Sequence, residues 1–313
     1  MALAVNNNTS AFNVFASYTG NVSSMKQSMA RLSTGTISVL DDPSGVGISE
    51  RMRSQIRSTS MSRNNVQNGV SLLQTADSWL QKINDMLNRM HELAVEAEDG
   101  TKTTKDVRNI QTEFQQLQSE ITRITSRSTA AGKYNGLFLF RGGNGRQKVN
   151  GDEVNSGSIT IQIGAEVSQS LGINVVDLQV TNTDNIGTVA VYSYSTDNAV
   201  TGSSYTTVQW GSIVDTTKMS ITSDLAIGKI AKAIDHVANN RAQLGAQQNR
   251  LEQTHSGLLA YEDNLRTAES KIRDVDMAKE STEFSKYQIL TQISNAMLSQ
   301  ANQLPASAVQ LVG

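Results

Sequence analysis

The side chains that most often carry catalysis or bind metal are few and scattered in this chain. Three histidines occur, His91, His236 and His255, and there is no cysteine. His91-Glu92 could begin a zinc-protease motif, but no second histidine follows at the required spacing. A surface histidine is therefore the better interpretation.

Carboxylates and glycines give no stronger case for catalysis. Asp41-Asp42 and the pair Glu280 and Glu283 have no His, Cys or phosphate-binding loop beside them, so loop capping or solvated charge explains them better. The glycine-rich run at 142–145 lacks the Lys-Ser/Thr of a P-loop and is interpreted as a turn. We predict no enzyme, no catalytic residue, no cofactor and no metal.

Composition excludes several classes of protein. The 313 residues carry 27 basic and 29 acidic side chains, which leaves no basic excess for binding nucleic acid. The absence of cysteine excludes a disulfide framework and a thiolate metal site. No apolar run reaches the roughly 20 residues of a membrane span. The first ten residues lack the basic and apolar regions of a cleaved signal peptide, so we expect none.

The placement of charge is more informative than its sum. Residues 1–25 and 287–313 contain no charged side chain. Disordered tails usually carry charge and lack apolar periodicity, whereas both ends here have apolar residues at the 3/4 spacing of a coiled-coil helix. The first stripe is Ala11, Phe15, Tyr18, Val22, Met25, Met29 and Leu32. The second is Tyr287, Leu290, Ile293, Met297, Ala301 and Leu304, ended by Pro305.

These charge-free terminal stripes predict helices that pair with each other and with copies of the same chain. A helix with an exposed face normally carries charge on it. An intramolecular pair alone would not explain why the outer faces have none.

Three further helical tracts lie inside the chain. One runs from about Ser44 to Asp99, a second follows a cap at Thr103 or Thr104, and a third begins near Ser223. Their long apolar seams predict a rod. Residues 134–220 differ, because alternating apolar and polar residues among glycines and asparagines are typical of short hairpins. The predicted fold is mainly α, a long antiparallel coiled-coil helical rod with a small β-hairpin region at the far end.

Several short motifs resemble those of the bacterial flagellins. Together they cover about residues 1–140 and 220–313. They are RLSTG at 31–35, GISERMRSQIR at 47–57, NGVSLLQTA at 68–76, YNG at 134–136, QIGA at 162–165, GAQQNRLE at 245–252, AESKIRDVDMA at 268–278 and AMLSQANQ at 296–303.

The resemblance implies a structural subunit that assembles with itself into the helical flagellar filament used for motility, outside the cell. It implies export as an unfolded chain by the flagellar type III system, a chaperone on the C-terminal segment, and contact with cap and hook-associated proteins. It places residues 1–40 and 274–313 in the inner-tube domain, D0, and 41–273, including the β-rich insert, in the rod domain, D1. The insert of about eighty residues leaves no large outer domain.

The resemblance also implies an epitope for the host flagellin-sensing Toll-like receptor, at Arg89, Leu93 and Glu113. The alternative for these residues is that Leu93 and Glu113 only pack and solvate the helices. O-glycosylation within 181–207 is a further hypothesis from composition.

Three other functions stay open at this point. The hook–filament junction protein of the same superfamily shares the terminal motifs. A flagellin with a peptidase in its insert would need histidine there, and residues 134–220 contain none. A soluble coiled-coil adaptor would have stably folded ends as a monomer.

Overall fold

A computed structural model describes residues 8–126, 130–140, 159–178, 185–194, 200–216, 219–221 and 225–312. The helices are α1 Thr9–Thr34, α2 Pro43–Ala97, α3 Thr104–Thr125, α4 Trp210–Val214, α5 Ala226–Arg273 and α6 Met277–Val312. The strands are β1 Lys133–Tyr134, β2 Leu137–Phe138, β3 Ile159–Gln162, β4 Ser170–Ile173, β5 Asn185–Tyr194 and β6 Val200–Gln209. The predicted mainly α fold, with long helices and a few small antiparallel strand pairs, is confirmed.

The chain forms two compact units. The first takes residues from Met1–Arg57 and Tyr261–Gly313, and the second takes Ser58–Ala260. Each unit has its own packing, and each is described by itself.

In the first unit, α1 and α6 lie side by side and antiparallel. The Asn8 side chain caps α1 by accepting a hydrogen bond from the backbone N–H of Ala11 at 2.9 Å. Its Nδ2 donates to the carbonyl of Ala301, late in α6, at 2.7 Å. At the other end of α1, Gly35 has a φ of 69° and ends the helix in the left-handed conformation that glycine adopts without strain.

The segments after α1 and before α6 also pair with each other. The N–H of Ile37 donates to the carbonyl of Arg273 at 2.8 Å, and the N–H of Val275 donates to that of Gly35 at 3.0 Å. An antiparallel bridge joins Thr36 to Asp274 between them. These bonds hold the end of α1 beside the start of α6.

Polar side chains join the beginning of α2 to the end of α5 in the same unit. Arg53 Nε lies 3.2 Å from Glu269 Oε1. Arg273 forms a short ion pair with Glu50, and both Glu269 and Arg273 contact the hydroxyl of buried Ser49. The packing here depends on hydrogen bonds more than on apolar area.

The second unit has a conventional apolar core built from α2, α3 and α5. The stripes predicted from 3/4 spacing are the ones that are buried, because each helix packs one face inward. Fully or nearly fully buried members include Val66, Leu73, Leu80, Ile83, Leu87, Met90, Phe114, Ile121, Ile124, Ile230, Val237, Leu244 and Leu251. Asp77, which interrupts the first stripe, forms a two-pronged ion pair with Arg241 at 2.8 and 3.2 Å.

The described strands form three antiparallel pairs, β1 with β2, β3 with β4 and β5 with β6. Asn135 and Gly136, with φ of 47° and 81°, make the tight turn between β1 and β2. Trp210 follows β6 in the core, and its indole N–H donates to the carbonyl of Leu178 at 2.6 Å. The predicted hairpin at Ile159–Gln162 is therefore present, whereas residues 142–145 lie outside the described residues.

Two helix ends differ from those predicted. The helix α6 does not stop at Pro305 but continues to Val312, since proline removes one backbone hydrogen bond while keeping a φ that a helix accepts. The helix α3 begins where expected, because Thr103 and Asp106 form a reciprocal capping box. It ends at Thr125, before Gly132.

Candidate assembly and recognition surfaces

The face that α1 turns toward α6 is partly polar. Its most shielded positions are Ala11, Val14, Tyr18, Asn21, Met25, Ser28 and Leu32, at spacings of 3 and 4. Asn21 donates to the hydroxyl of Ser294 at 3.1 Å, and Ser28 donates to Glu280 at 2.6 Å. The buried Ser28 therefore takes the seam position next to the exposed Met29, while Asn21 shares the seam with the half-buried Val22.

The matching face of α6 has the same spacing. Glu280, Phe284, Tyr287, Thr291, Ser294, Leu298 and Ala301 are its shielded positions. Leu290 is also half-buried. Leu304 lies in α6, but its side chain is outside the described residues.

Large apolar side chains lie on the outside of this helix pair. Phe15 and Met29 of the predicted stripe are 50% and 49% exposed, and Ile293 and Met297 are 53% and 54% exposed. Phe12 and Ile289 are exposed as well. Ala11, Tyr18, Val22, Met25, Leu32 and Tyr287 are half-buried. These six exposed apolar side chains on the outside of the helix pair, Phe12, Phe15, Met29, Ile289, Ile293 and Met297, are together termed the outer apolar face, although they come from different sides of the two helices.

A cluster of polar and charged side chains closes one end of the α1–α6 pair. Glu280 accepts from Ser28 and lies 3.6 Å from Arg31, whose Nε is 2.9 Å from Asp41. Asp41 also accepts from Ser38 and from Gln27. The Arg31 guanidinium, with these donors, holds the pKa of the Asp41 carboxyl well below its usual range. Asp41 is thus a charged anchor for the turn that joins α1 to α2.

The sequence interpretation missed this cluster, although a signal was present. Glu280, Phe284 and Tyr287 continue the 3/4 spacing of α6 toward its start. A carboxylate at a seam position indicates a specific polar partner across the seam, because an unpaired buried charge is costly.

Arg89, Leu93 and Glu113 lie in the second unit, and two of them meet. Arg89 Nε donates to Glu113 Oε1 at 2.8 Å, and Arg89 also reaches Glu92 at 3.1 Å. These carboxylates raise the pKa of the Arg89 guanidinium. Leu93 is only 1% exposed and belongs to the core. A partner at this surface would contact the ion pair and not the leucine.

Several of the residues considered for chemistry make packing, capping or ion-pair contacts. His236 packs 6.2 Å from the ring of Trp210, and His91 and His255 are half-buried in α2 and α5. Asp42 caps the start of α2 by accepting from the N–H of Gly45 at 2.9 Å, and Glu283 pairs with Lys286. Across the described ranges, no three His, Cys, Asp or Glu residues are grouped as metal ligands. No described helix is long and apolar enough to span a bilayer.

Comparison with known proteins agrees with the terminal motifs. Residues 5–145 match the model of the bacterial flagellin N-terminal helical region, and 227–312 match that of the bacterial flagellin C-terminal helical region. The flagellin of Bacillus subtilis (strain 168) is 37% identical over 320 residues, covering 99% of this chain and 100% of that protein. This chain belongs to the bacterial flagellin family.

Other flagellar proteins are similar over comparable lengths. The flagellar filament 33 kDa core protein of Treponema phagedenis is 37% identical over 316 residues, covering 99% of this chain and all of that protein. The crystal structure of Bacillus cereus flagellin matches with a TM-score of 0.43 and 22% identity, over 62% of this chain and 88% of that one.

Proposed function

We propose that this flagellin is the structural subunit of a flagellar filament and assembles with copies of itself. The observation that carries the proposal is full-length similarity to flagellins and filament core proteins. The outer apolar face supports it physically, because six large apolar side chains on a helix pair with few charges gain free energy when another copy covers them. The hook–filament junction alternative is not favoured, and the family's structural role fits a non-enzyme.

The finer assignments follow from the family. We place residues 1–40 and 274–313 in an inner-tube domain and 41–273 in a rod domain, with location in the flagellar filament outside the cell. The association of α1 with α6 supports the first part. Export as an unfolded chain, a chaperone on the C-terminal segment, and contact with cap and hook-associated proteins complete the proposal.

Recognition by the flagellin-sensing Toll-like receptor is a second proposal, and one observation favours it. Arg89 and Glu113 are both about half exposed and form one ion pair that crosses from α2 to α3. A receptor that binds here would contact the two charges in a fixed arrangement. Leu93 belongs to the buried core of the same unit.

Protease digestion before and after assembly tests the main proposal. Purified chain is treated with trypsin as monomer, then induced to assemble with a precipitant and treated again. We expect the terminal segments to be cut in the monomer, protected after assembly, and hollow helical filaments to appear by electron microscopy. Ends that resist trypsin in the monomer, with no filaments at any concentration, would contradict the proposal and favour an adaptor.

A further inference from the structure

The apolar pattern of α1 and its observed packing disagree by about half the angular step between successive residues. The pattern favours a seam through Phe15, Val22 and Met29. The structure leaves Phe15 and Met29 about half exposed and shields the neighbouring Val14 and Ser28 instead, while Asn21 and Val22 are both half-buried. The difference amounts to a rotation of α1 about its axis by about 50°, half of the roughly 100° between successive residues.

Hydrophobic burial alone would select the other rotation. Turning α1 so that Phe15 and Met29 face α6 would shield two side chains that are now half exposed. Something must offset that gain. The polar contacts that α1 makes with α6 in the observed rotation are Asn21 with Ser294, and Ser28 and Arg31 with Glu280.

Glu280 is the strongest of these contacts. It is buried, accepts from Ser28 at 2.6 Å and lies 3.6 Å from Arg31, so its charge is matched in this rotation. Rotating α1 would replace Ser28 by Met29 at the seam and leave a buried carboxylate with fewer donors. A buried charge that loses partners is costly, and single polar residues in coiled-coil seams are known to fix register in this way.

We propose that Glu280 is a positioning residue that sets the rotation of α1 against α6 and so keeps Phe15 and Met29 outside, available to a second copy. This inference rests on the proposed self-assembly. Glu280 acts through Ser28 and does not itself contact the neighbouring copy. The contacts of Glu280 therefore keep Phe15 and Met29 out of the interface between α1 and α6. These two side chains are then buried at the contact between chains.

The test replaces the polar pair by apolar groups. The double variant Ser28→Ala, Glu280→Leu removes the reason for the observed rotation, and an apolar residue in place of a buried ion pair often preserves or raises stability. The single variant Glu280→Gln keeps size and hydrogen bonding and should have a smaller effect. The matched control is Glu283→Leu, which removes an equal charge one turn later on α6, where Glu283 pairs only with Lys286 in the described contacts.

Cysteine pairs report the rotation, because the chain contains no other cysteine. Leu298 lies on the α6 seam between Ser294 and Ala301, which meet Asn21 and Asn8. One reporter joins Val14→Cys to Leu298→Cys, and the other joins Phe15→Cys to Leu298→Cys. Each is placed in the parent chain and in each variant, assembled with a precipitant, sedimented and oxidised. Disulfides within one chain are separated from those between chains by denaturing gels and mass spectrometry. The critical concentration for assembly is measured in parallel without the reporters.

We expect the parent chain, the Glu283→Leu control and, more weakly, Glu280→Gln to favour the Val14 pair. The double variant should favour the Phe15 pair and raise the critical concentration by about tenfold. If the double variant still favours the Val14 pair, the proposal is overturned, whatever its critical concentration. If the double variant favours the Phe15 pair but assembles at the same critical concentration as the parent chain, the proposal is also overturned. If the parent chain forms no filaments, the proposed function fails, and the reporters in monomer under the same precipitant still decide whether Glu280 sets the rotation.

Discussion

At the scale of single residues, Asp41 is the most heavily hydrogen-bonded acid in the first unit. Its side chain is 5% exposed and receives hydrogen bonds from Arg31 at 2.9 Å and from the backbone and hydroxyl of Ser38 at 3.2 and 3.0 Å. Gln27 also donates to it. The next residue toward the N-terminus, Leu40, is almost fully exposed. Charge and hydrogen bonding, rather than apolar burial, therefore fix the turn between α1 and α2.

Replacing Asp41 by Asn should loosen this turn in a pH-dependent way. The folded-state pKa of Asp41 lies below its ordinary value of 3.8, so its stabilisation is complete above that value and is lost as pH falls below it. At pH 7 we expect amide hydrogens of residues 35–42 to exchange about tenfold faster in Asp41→Asn, because charge-assisted bonds are replaced by weaker neutral ones. Hydrogen-exchange mass spectrometry of both proteins at matched pH measures this.

The difference between the two proteins should persist at pH 5 and shrink only below about pH 4, because the Asp41 carboxylate takes up a proton there in the opened state, where its pKa is the ordinary one. Glu283→Gln is the control, because its partner is the exposed Lys286. Equal exchange at pH 7, or a difference that grows as the pH falls, would contradict the role assigned to Asp41.

At the scale of helices and strands, the sequence predicted the second unit better than the first. The apolar stripes predicted on α2, α3 and α5 are buried in the structure, because the apolar side chains of these helices pack into a single core. On α1 the same rule pointed to Phe15 and Met29, which the structure leaves half exposed. That choice depends on Ser28 meeting Glu280, 252 residues away in the chain. Local periodicity does not contain such a pairing.

The turn that leads from α3 into β1 depends on a glycine packed against an aromatic ring. A Cβ on Gly132 would lie 2.9 Å from Phe140 Cε2 and 3.1 Å from the carbonyl oxygen of Ile124. Phe140 is buried, so its ring has little room to move away. We expect Gly132→Ala to lower the free energy of unfolding by about 1–3 kcal/mol through overpacking.

Tryptophan fluorescence during urea unfolding measures that change, because the only two tryptophans, Trp79 and Trp210, belong to the second unit. The matched control is Gly245→Ala inside α5, where a Cβ meets nothing within 4 Å. There alanine should raise the stability by about 0.5–1 kcal/mol, since glycine weakens a helix interior. If both variants shift the urea midpoint in the same direction, close packing at Gly132 is not the cause.

At the scale of the whole molecule, the two units differ in what stabilises them. The second has a closed apolar core, with only a few large apolar side chains exposed, such as Val167 at 99%. In the first, apolar side chains face outward and the inward seam carries hydrogen-bonded polar groups. A single copy of the first unit therefore leaves free energy of burial unused, and that free energy is available to a polymer.

Polar replacements on the outer apolar face should weaken assembly without unfolding the chain. Burying one large apolar side chain contributes about 1.5–3 kcal/mol, and 1.4 kcal/mol is about tenfold in an equilibrium constant. We expect Phe15→Ser and Ile293→Ser each to raise the critical concentration for filament formation by at least about tenfold, measured by sedimentation. The urea midpoint followed by Trp79 and Trp210 should stay unchanged. Val167→Ser removes a still more exposed apolar side chain, from the β3–β4 turn, and should leave the critical concentration within about twofold of the parent. If Val167→Ser weakens assembly as much as Ile293→Ser, the drive for polymerisation is not specific to the outer apolar face, because loss of any exposed apolar group would then have the same effect.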